Sequence, residues 1–287
     1  KLTVDEGLYE NFCTRFPYQE TDDQMNAIDD TLKDLSIGKP MDRLVCGDVG
    51  FGKTEIALRT AFSAVFAGGQ VAIVTPTTLL TRQHFNTFIE RFEGYPVRIE
   101  QLSRMVAPKQ ANATKLGIQT GEIDIVIGTH ALLSPSIHFK NLVLLIVDEE
   151  QHFGVSHKEK LKQLRNDVHV LTLTATPIPR TLQMALSGVK EMSVIATPPV
   201  DRLSVRTFIL PYDPLVIREA IAREIFRGGQ IFYVCPRISD LQGVERNLKN
   251  INPDLKISIA HGKLNSRELE KVMTDFYEGK SQLLLST

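Results

Sequence analysis

The sequence is poor in cysteine and has no long hydrophobic run. Its three cysteines, Cys13, Cys46 and Cys235, are an odd number without the spacing of a CxxC or metal-binding motif, so we interpret them as free thiols in a reducing cytosol. No apolar run approaches the roughly 20 residues of a membrane span, and no signal-peptide pattern opens the chain. The sequence therefore predicts a cytoplasmic protein without a membrane partner.

An excess of charge of either sign is also missing. The 33 Lys and Arg residues and the 34 Asp and Glu residues give a formal net charge of -1. This excludes a nucleic-acid binder that works by bulk positive charge, but it leaves a local basic groove open. Apolar residues make up 43% and charged residues 23%, which excludes a disordered chain or a fibre. At roughly 150 residues per domain, the length predicts about two domains.

Over its first two thirds, the chain alternates short apolar runs with helical segments. The runs are nearly all apolar, as is typical of parallel strands covered by helices on both faces. The helical segments Lys53–Ala67 and Thr77–Phe92 lie between runs, and this order predicts an open α/β sheet. The predicted strands are Arg43–Cys46, Gln70–Thr75, Val97–Leu102, Ile123–Gly128, Leu142–Val147 and His169–Thr174.

The same pattern restarts near residue 200. The segments Ser193–Ala196 and Val205–Leu210 lead into it across the Pro198-Pro199 pair. Few strands follow, so we predict a second and smaller α/β unit. Its elements are helix Pro214–Arg227, strand Gln230–Val234, helix Ser239–Lys249, strand Lys256–Ala260, helix Ser266–Tyr277 and strand Gln282–Leu285.

One segment fits the pattern G-x-x-x-x-G-K-[ST] of phosphate-binding loops. It follows a predicted strand and opens a predicted helix, which is the context that the motif requires. Glycines let the backbone approach phosphates, and a helix N-terminus adds a favourable dipole. Lys53 can reach the β- and γ-phosphates, and the Thr54 hydroxyl can ligate Mg²⁺. The predicted nucleotide-binding residues are Gly47, Asp48, Val49, Gly50, Phe51, Gly52, Lys53 and Thr54.

A cluster of carboxylates follows the predicted strand Leu142–Val147. Ligands bind at the carboxyl ends of parallel strands, so this position favours a functional role over a merely solvated acidic loop. Asp148 would hold Mg²⁺ through water, and Glu149 would polarise the attacking water. We therefore predict Lys53, Asp148 and Glu149 as the catalytic residues of an NTPase, with Thr54 and Asp148 at the metal.

Loops rich in hydroxyl groups follow three further predicted strands. The segments Pro76–Leu80, Gly128–His130 and Thr174–Thr181 would share one sheet edge with the phosphate loop, and such loops suit a phosphodiester backbone. Local positive charge could come from Arg82, His84, Arg104 and Arg180, each of which is otherwise a surface residue or helix partner. The predicted DNA contacts are Pro76, Thr77, Thr78, Arg104, Gly128, Thr129, His130, Arg180 and His261. For His261, the alternative interpretation as part of a simple strand-to-helix turn remains open.

These segments, in this order, resemble the motifs of superfamily-two helicases. The resemblance implies that Phe16 stacks on adenine, that Gln24 hydrogen-bonds it, and that Gln151 joins the nucleotide site. It implies ATP and Mg²⁺ as cofactors. It also implies an α/β, RecA-like P-loop NTPase fold with helices on both faces of a parallel sheet. The implied domains are a lead-in with the adenine-stacking segment (1–20), a first, ATP-binding RecA-like domain (21–200) and a second, truncated RecA-like domain (201–287).

Four longer segments, MDRLVCGDVGFGKTE, VRIEQLSR, IVDEEQHFGV and LTLTATPIPRT, resemble the translocase module of the bacterial transcription-repair coupling factors, the Mfd family. The RecG helicases are the next most similar family, but they typically have DEQH where this chain has Asp148–Gln151. The resemblance implies an ATP-dependent double-stranded DNA translocase that acts on stalled RNA polymerase to initiate nucleotide excision repair. It implies RNA polymerase and the UvrA repair protein as partners, through parts of the parent protein outside this chain.

The match departs from the helicase pattern in one large respect. The second domain should continue into motif V and into motif VI, whose arginines reach the γ-phosphate, and neither motif occurs in the sequence. We therefore expect this chain to bind nucleotide but to hydrolyse ATP poorly. Two alternatives stay open: a RecG-like helicase for branched DNA, and a nucleotide-binding module without turnover.

Overall fold

The chain folds into two compact units, Lys1–Leu203 and Ser204–Thr287. This computed structural model describes residues 2, 4–150, 153, 167–176, 191–199, 202 and 205–287. Among the described residues, no helix has the length and apolar character needed to cross a bilayer. The predicted site residues Gln151 and Arg180 lie outside the described residues.

The first unit contains a seven-stranded sheet in which every pair of neighbouring strands is parallel. The strand order is β3-β4-β2-β5-β6-β1-β7. The middle strands are almost wholly buried, as expected for a parallel sheet covered on both faces. The strands are β1 (Asp42–Gly47), β2 (Gln70–Val74), β3 (Ile99–Leu102), β4 (Ile125–Gly128), β5 (Leu142–Asp148), β6 (His169–Thr174) and β7 (Glu191–Ile195).

Five helices of the first unit are described, and local sequence signals mark their ends. Thr21 and Gln24 form a capping box at the start of the second helix, which satisfies backbone N–H groups there. Pro108 lies in the first turn of the fifth, and Gly121 ends it in the left-handed conformation, as helices favour. The helices are α1 (Glu6–Cys13), α2 (Asp22–Ser36), α3 (Lys53–Phe66), α4 (Thr78–Arg91) and α5 (Pro108–Thr120).

The parallel topology places the described functional loops predicted in the first unit at one edge of its sheet. The carboxyl ends of β3, β4 and β2 carry the loops predicted to contact DNA. The carboxyl ends of β5, β6 and β1 carry Asp148, Thr174 and the phosphate loop. Because β2 and β5 are neighbours, the two groups of loops meet between these two strands.

The second unit has a three-stranded parallel sheet in the order β8-β10-β9. A small core of buried residues, including Leu248, Leu283 and Leu285, lies against this sheet. Short 3-10 helices span His130–Leu133 in the first unit and Ile238–Asp240 in the second. The strands are β8 (Ile231–Val234), β9 (Ile257–Ala260) and β10 (Leu283–Ser286), and the helices are α6 (Pro214–Phe226), α7 (Leu241–Ile251) and α8 (Ser266–Tyr277).

Of the two segments predicted to lead into the second unit, Val205–Leu210 lies in that unit, but Ser193–Ala196 does not. Most of Ser193–Ala196 belongs to β7, which pairs with β1 in the first sheet. Hydrogen bonds from Arg43 and to Asp30 fix the Ser193 hydroxyl there. The segment Val205–Leu210 is not a strand. Its apolar side chains are exposed, Ile209 by 95%, because no described strand pairs with it.

Candidate functional site

The phosphate loop joins β1 to α3 through two glycines in the left-handed conformation. Gly50 has φ 80° and Gly52 has φ 81°, values that side chains disfavour. A Cβ at Gly52 would also lie 2.4 Å from Nε2 of Gln24. No side chain caps the start of α3. The N–H of Glu55 donates to the carbonyl of Gly52 at 2.9 Å, whereas the N–H groups of Lys53 and Thr54 precede any intrahelical partner and are available to an anion.

The Lys53 ammonium folds back onto the phosphate loop. Its Nζ donates to the carbonyl oxygens of Gly47 (2.6 Å) and Asp48 (3.0 Å). Burial lowers the pKa of Lys53, while the nearby carboxylates of Glu149 and Asp148 oppose that shift. A partly desolvated cation next to open backbone donors is suited to phosphate oxygens.

The two carboxylates at the carboxyl end of β5, Asp148 and Glu149, are held in different ways. Glu149 has φ 54°, a strained backbone for a residue with a side chain. Its Oε1 accepts from the backbone N–H of Ala175 at 2.8 Å, and the Thr174 hydroxyl lies 3.4 Å from Oε2. Asp148 instead contacts the ring of His84, whose Nε2 lies 2.9 Å from Oδ2. The two predicted catalytic carboxylates are therefore anchored to different elements, Glu149 to the loop after β6 and Asp148 to helix α4.

A cavity of about 920 Å³ opens beside the phosphate loop. Phe16 and Gln24, the residues predicted to hold adenine, line it together with Gly50, Gly52 and Thr54. Phe12, an aromatic residue four positions earlier, is fully buried and stacks on Phe62 at 4.3 Å between ring centroids. The structure thus brings Phe16, but not Phe12, to the side of the phosphate loop.

Gln24 connects the cavity to the phosphate loop. Its Oε1 accepts from the backbone N–H of Thr21 (2.9 Å), and its Nε2 donates to the carbonyl of Phe51 (2.9 Å). An amide side chain has two donor hydrogens and two acceptor lone pairs. One donor and one acceptor therefore remain, which matches the N7 acceptor and the N6 donor of adenine.

Tyr18 and Arg202 are among the cavity residues that were absent from the sequence prediction. The Tyr18 ring is exposed and lies edge-on to Phe16 at 5.5 Å. Arg202 lies over the ring of Phe51 at 4.8 Å, with its guanidinium 3.5 Å from the carboxylate of Asp48. Tyr18 could have been found from sequence, because it is an aromatic residue two positions after Phe16. No local signal marks Arg202, because the chain fold brings it back over the loop.

The loops predicted to contact DNA present both exposed and buried groups. The Thr77 hydroxyl caps α4 by accepting from the N–H of Leu80 at 3.2 Å, and it keeps its own hydrogen for a further bond. Thr129 is buried, whereas His130 and Arg104 are exposed. Pro76, Thr78 and Gly128 are half-buried or buried. The remaining predicted contact, His261, follows β9 in the second unit.

The residues present fit a magnesium ion that is held mainly by the nucleotide. Among the described residues, no group of three or more His, Cys, Asp or Glu side chains forms a cage for a metal. Magnesium typically uses one or two protein oxygens together with substrate phosphates and water. The Thr54 hydroxyl and the Asp148 carboxylate supply such oxygens.

Comparisons with known proteins show which family the chain belongs to. Residues 21–185 match the DEAD/DEAH box helicase family, and residues 216–287 match the helicase conserved C-terminal domain. The chain is 53% identical to the transcription-repair-coupling factor of Rickettsia prowazekii (strain Madrid E) and 50% identical to that of Escherichia coli (strain K12). These matches cover 100% and 99% of this chain but 26% and 25% of the relatives. The chain thus spans about a quarter of their length.

A solved structure shows the same fold. RecG bound to a three-way DNA junction superposes with a TM-score of 0.81 at 33% identity, over 99% of this chain and 38% of RecG. The expected RecA-like helicase fold is confirmed, as is the resemblance to transcription-repair coupling factors and to RecG. With its phosphate loop, its acidic strand end and its match over residues 21–185, the chain belongs to the DEAD/DEAH box helicase family.

Proposed function

We propose that this chain is the ATP-dependent double-stranded DNA translocase module of a transcription-repair coupling factor. The observation that carries the proposal is the shared sheet edge, on which nucleotide loops follow β5, β6 and β1, and hydroxyl-bearing loops follow the adjoining strands β2, β4 and β3. Movements that ATP binding and hydrolysis cause in the nucleotide loops are thereby passed to the adjoining loops, which are suited to a DNA backbone.

Each catalytic side chain has a separate part in the proposed reaction. Lys53 leaves its loop carbonyls for the β- and γ-phosphates of ATP. Mg²⁺, when bound by Thr54 and Asp148, neutralises the charge that develops on the phosphates. Glu149 orients and polarises the attacking water. Its bonds to Thr174 and Ala175 fix the carboxylate and tie the chemistry to the loop after β6.

The whole protein would act on stalled RNA polymerase in the cytoplasm and initiate nucleotide excision repair. In this proposal, RNA polymerase and UvrA bind to parts of the parent outside this chain. The likeness to RecG on a three-way junction favours remodelling of branched DNA as the second candidate. An assay in a chain extended to the length of the curated relatives separates the two: displacement of a stalled polymerase supports the first, and junction unwinding without displacement supports the second.

Replacing Gln24 tests the adenine site. We expect Gln24→Glu to reduce the preference for ADP over GDP about tenfold, because a bidentate amide–adenine pair contributes about 1–3 kcal/mol of discrimination. Glutamate keeps the acceptor that caps α2 but loses the donor. Competition between the two nucleotides against a fluorescent ADP measures the preference. As a control, Gln19→Glu changes another cavity residue and should leave the preference unchanged. An unaltered ratio in Gln24→Glu would remove this residue from the adenine site.

ATP hydrolysis by the 287-residue chain tests the need for further motifs. The sequence has no arginine-rich segment of the form Q-x-x-G-R-x-G-R, and an arginine finger contributes about 10³–10⁵ in rate in other NTPases. We therefore expect measurable nucleotide binding by calorimetry, but phosphate release at least about 1000-fold slower than in the extended chain, with or without duplex DNA. Turnover close to that of the extended chain would contradict this expectation.

A further inference from the structure

His84 lies on the helix that begins in the segment predicted to contact DNA, and it contacts the carboxylate of Asp148 in the predicted nucleotide site. His84 lies on α4, which follows β2, and Asp148 ends the neighbouring strand β5. Nε2 of His84 is 2.9 Å from Oδ2 of Asp148. Only 10% of the His84 side chain and 13% of the Asp148 side chain are exposed. From sequence, His84 could supply local positive charge for DNA or be a surface residue or helix partner. The contact with Asp148 gives it a different one.

We propose that His84 is a positioning residue that sets the orientation of Asp148 toward the nucleotide-bound Mg²⁺. The inference rests on the proposed function, since it assigns the metal to Asp148. A carboxylate can rotate about its Cβ–Cγ bond, and a donor on Oδ2 fixes that rotation and leaves Oδ1 for the metal or its water. Hydrogen bonds of this outer kind orient metal ligands, and losing one typically costs about 10–100-fold in metal affinity or activity.

The backbone of His84 is itself held firmly. Thr81, His84 and Phe88 are buried along one face of α4, at the spacing of three and four residues that places side chains together on a helix. The Thr81 hydroxyl donates to the carbonyl of Thr77, and it lies 2.8 Å from the hydroxyl of Thr75 at the end of β2. The ring therefore meets Asp148 from a fixed helix.

The same helix begins at the segment predicted to contact DNA. Thr77 caps α4, and His84 lies seven residues further along the rigid helix. A displacement of the first turn of α4 is therefore carried to the imidazole, and through it to Asp148. His84 thus supplies a direct mechanical contact between the two groups of loops where they meet, between β2 and β5.

Magnesium titration of nucleotide binding tests this role in the 287-residue chain. The probe is a fluorescent, non-hydrolysable ATP analogue, whose binding is measured first in EDTA and then at increasing Mg²⁺. We expect His84→Leu to raise the half-saturating Mg²⁺ concentration about tenfold or more, while binding in EDTA stays within about twofold of the wild type. His84→Gln, which keeps a donor at a similar distance along the side chain, should restore most of the loss.

The same titration provides the control and the results that would contradict the inference. Gln83→Leu makes the same kind of change at an exposed position of α4, and it should titrate as the wild type does. A wild-type Mg²⁺ curve for His84→Leu overturns the inference. So does a His84→Gln variant that loses as much as His84→Leu, since the donor would then not matter. If the wild-type chain binds no analogue at all, the proposed function itself fails.

Discussion

Lys53→Ala is expected to weaken ATP binding about 100-fold, which corresponds to ~2.8 kcal/mol. Charge-assisted hydrogen bonds to phosphate are among the strong ones, and Lys53 is the charged donor of the phosphate loop. Its Nζ bonds to the carbonyls of Gly47 and Asp48, so it lies within the loop that is proposed to bind the phosphates. Alanine removes the cation and leaves the loop backbone in place.

Calorimetric titration of the chain with Mg-ATP measures the effect of Lys53→Ala. Lys39→Ala serves as the matched control, because it removes an exposed lysine and should leave the affinity unchanged. Thermal unfolding should show that Lys53→Ala remains folded, since the side chain contributes no buried apolar contact to the core. Affinity equal to that of the wild type would remove Lys53 from the phosphate site.

Glu149→Gln is expected to leave ATP binding intact and to slow hydrolysis at least about 100-fold, within the range of 10²–10⁴ typical of a lost general base. The amide is nearly isosteric, and its oxygen can still accept from the N–H of Ala175. The backbone at φ 54° is unchanged by the substitution. Only the negative charge that polarises the attacking water is lost.

The Glu149→Gln experiment requires a chain extended to the length of the curated relatives, in which turnover is fast enough for a decrease to be measured. Single-turnover phosphate release reports the chemical step, and analogue binding reports the ground state. Glu150→Gln alters the adjacent carboxylate and should retain both. Full hydrolysis by Glu149→Gln would show that another group orients the water.

Several features of this fold are determined locally and could be predicted from the sequence. The strand His169–Thr174 and the helix Ser266–Tyr277 are found at the predicted bounds, because apolar runs and helix caps act over a few residues. The phosphate loop is equally local: Gly50 and Gly52 take left-handed angles that their neighbours in sequence require. By contrast, the apolar run Val205–Leu210 forms no strand, because an apolar run becomes a strand only where another strand pairs with it.

The sequence by itself determined the identity of the nucleotide loops, since Gly47–Thr54 and Asp148–Glu149 carry their chemistry in adjacent residues. Contacts between distant residues were decided only by the tertiary structure. The bond of His84 to Asp148 spans 64 positions of sequence, and the approach of Arg202 to Phe51 spans a still longer stretch. No local pattern encodes such pairs, because they depend on which strands become neighbours. The order β4-β2-β5-β6-β1 brings the loops predicted to contact DNA and those predicted to bind nucleotide to one edge.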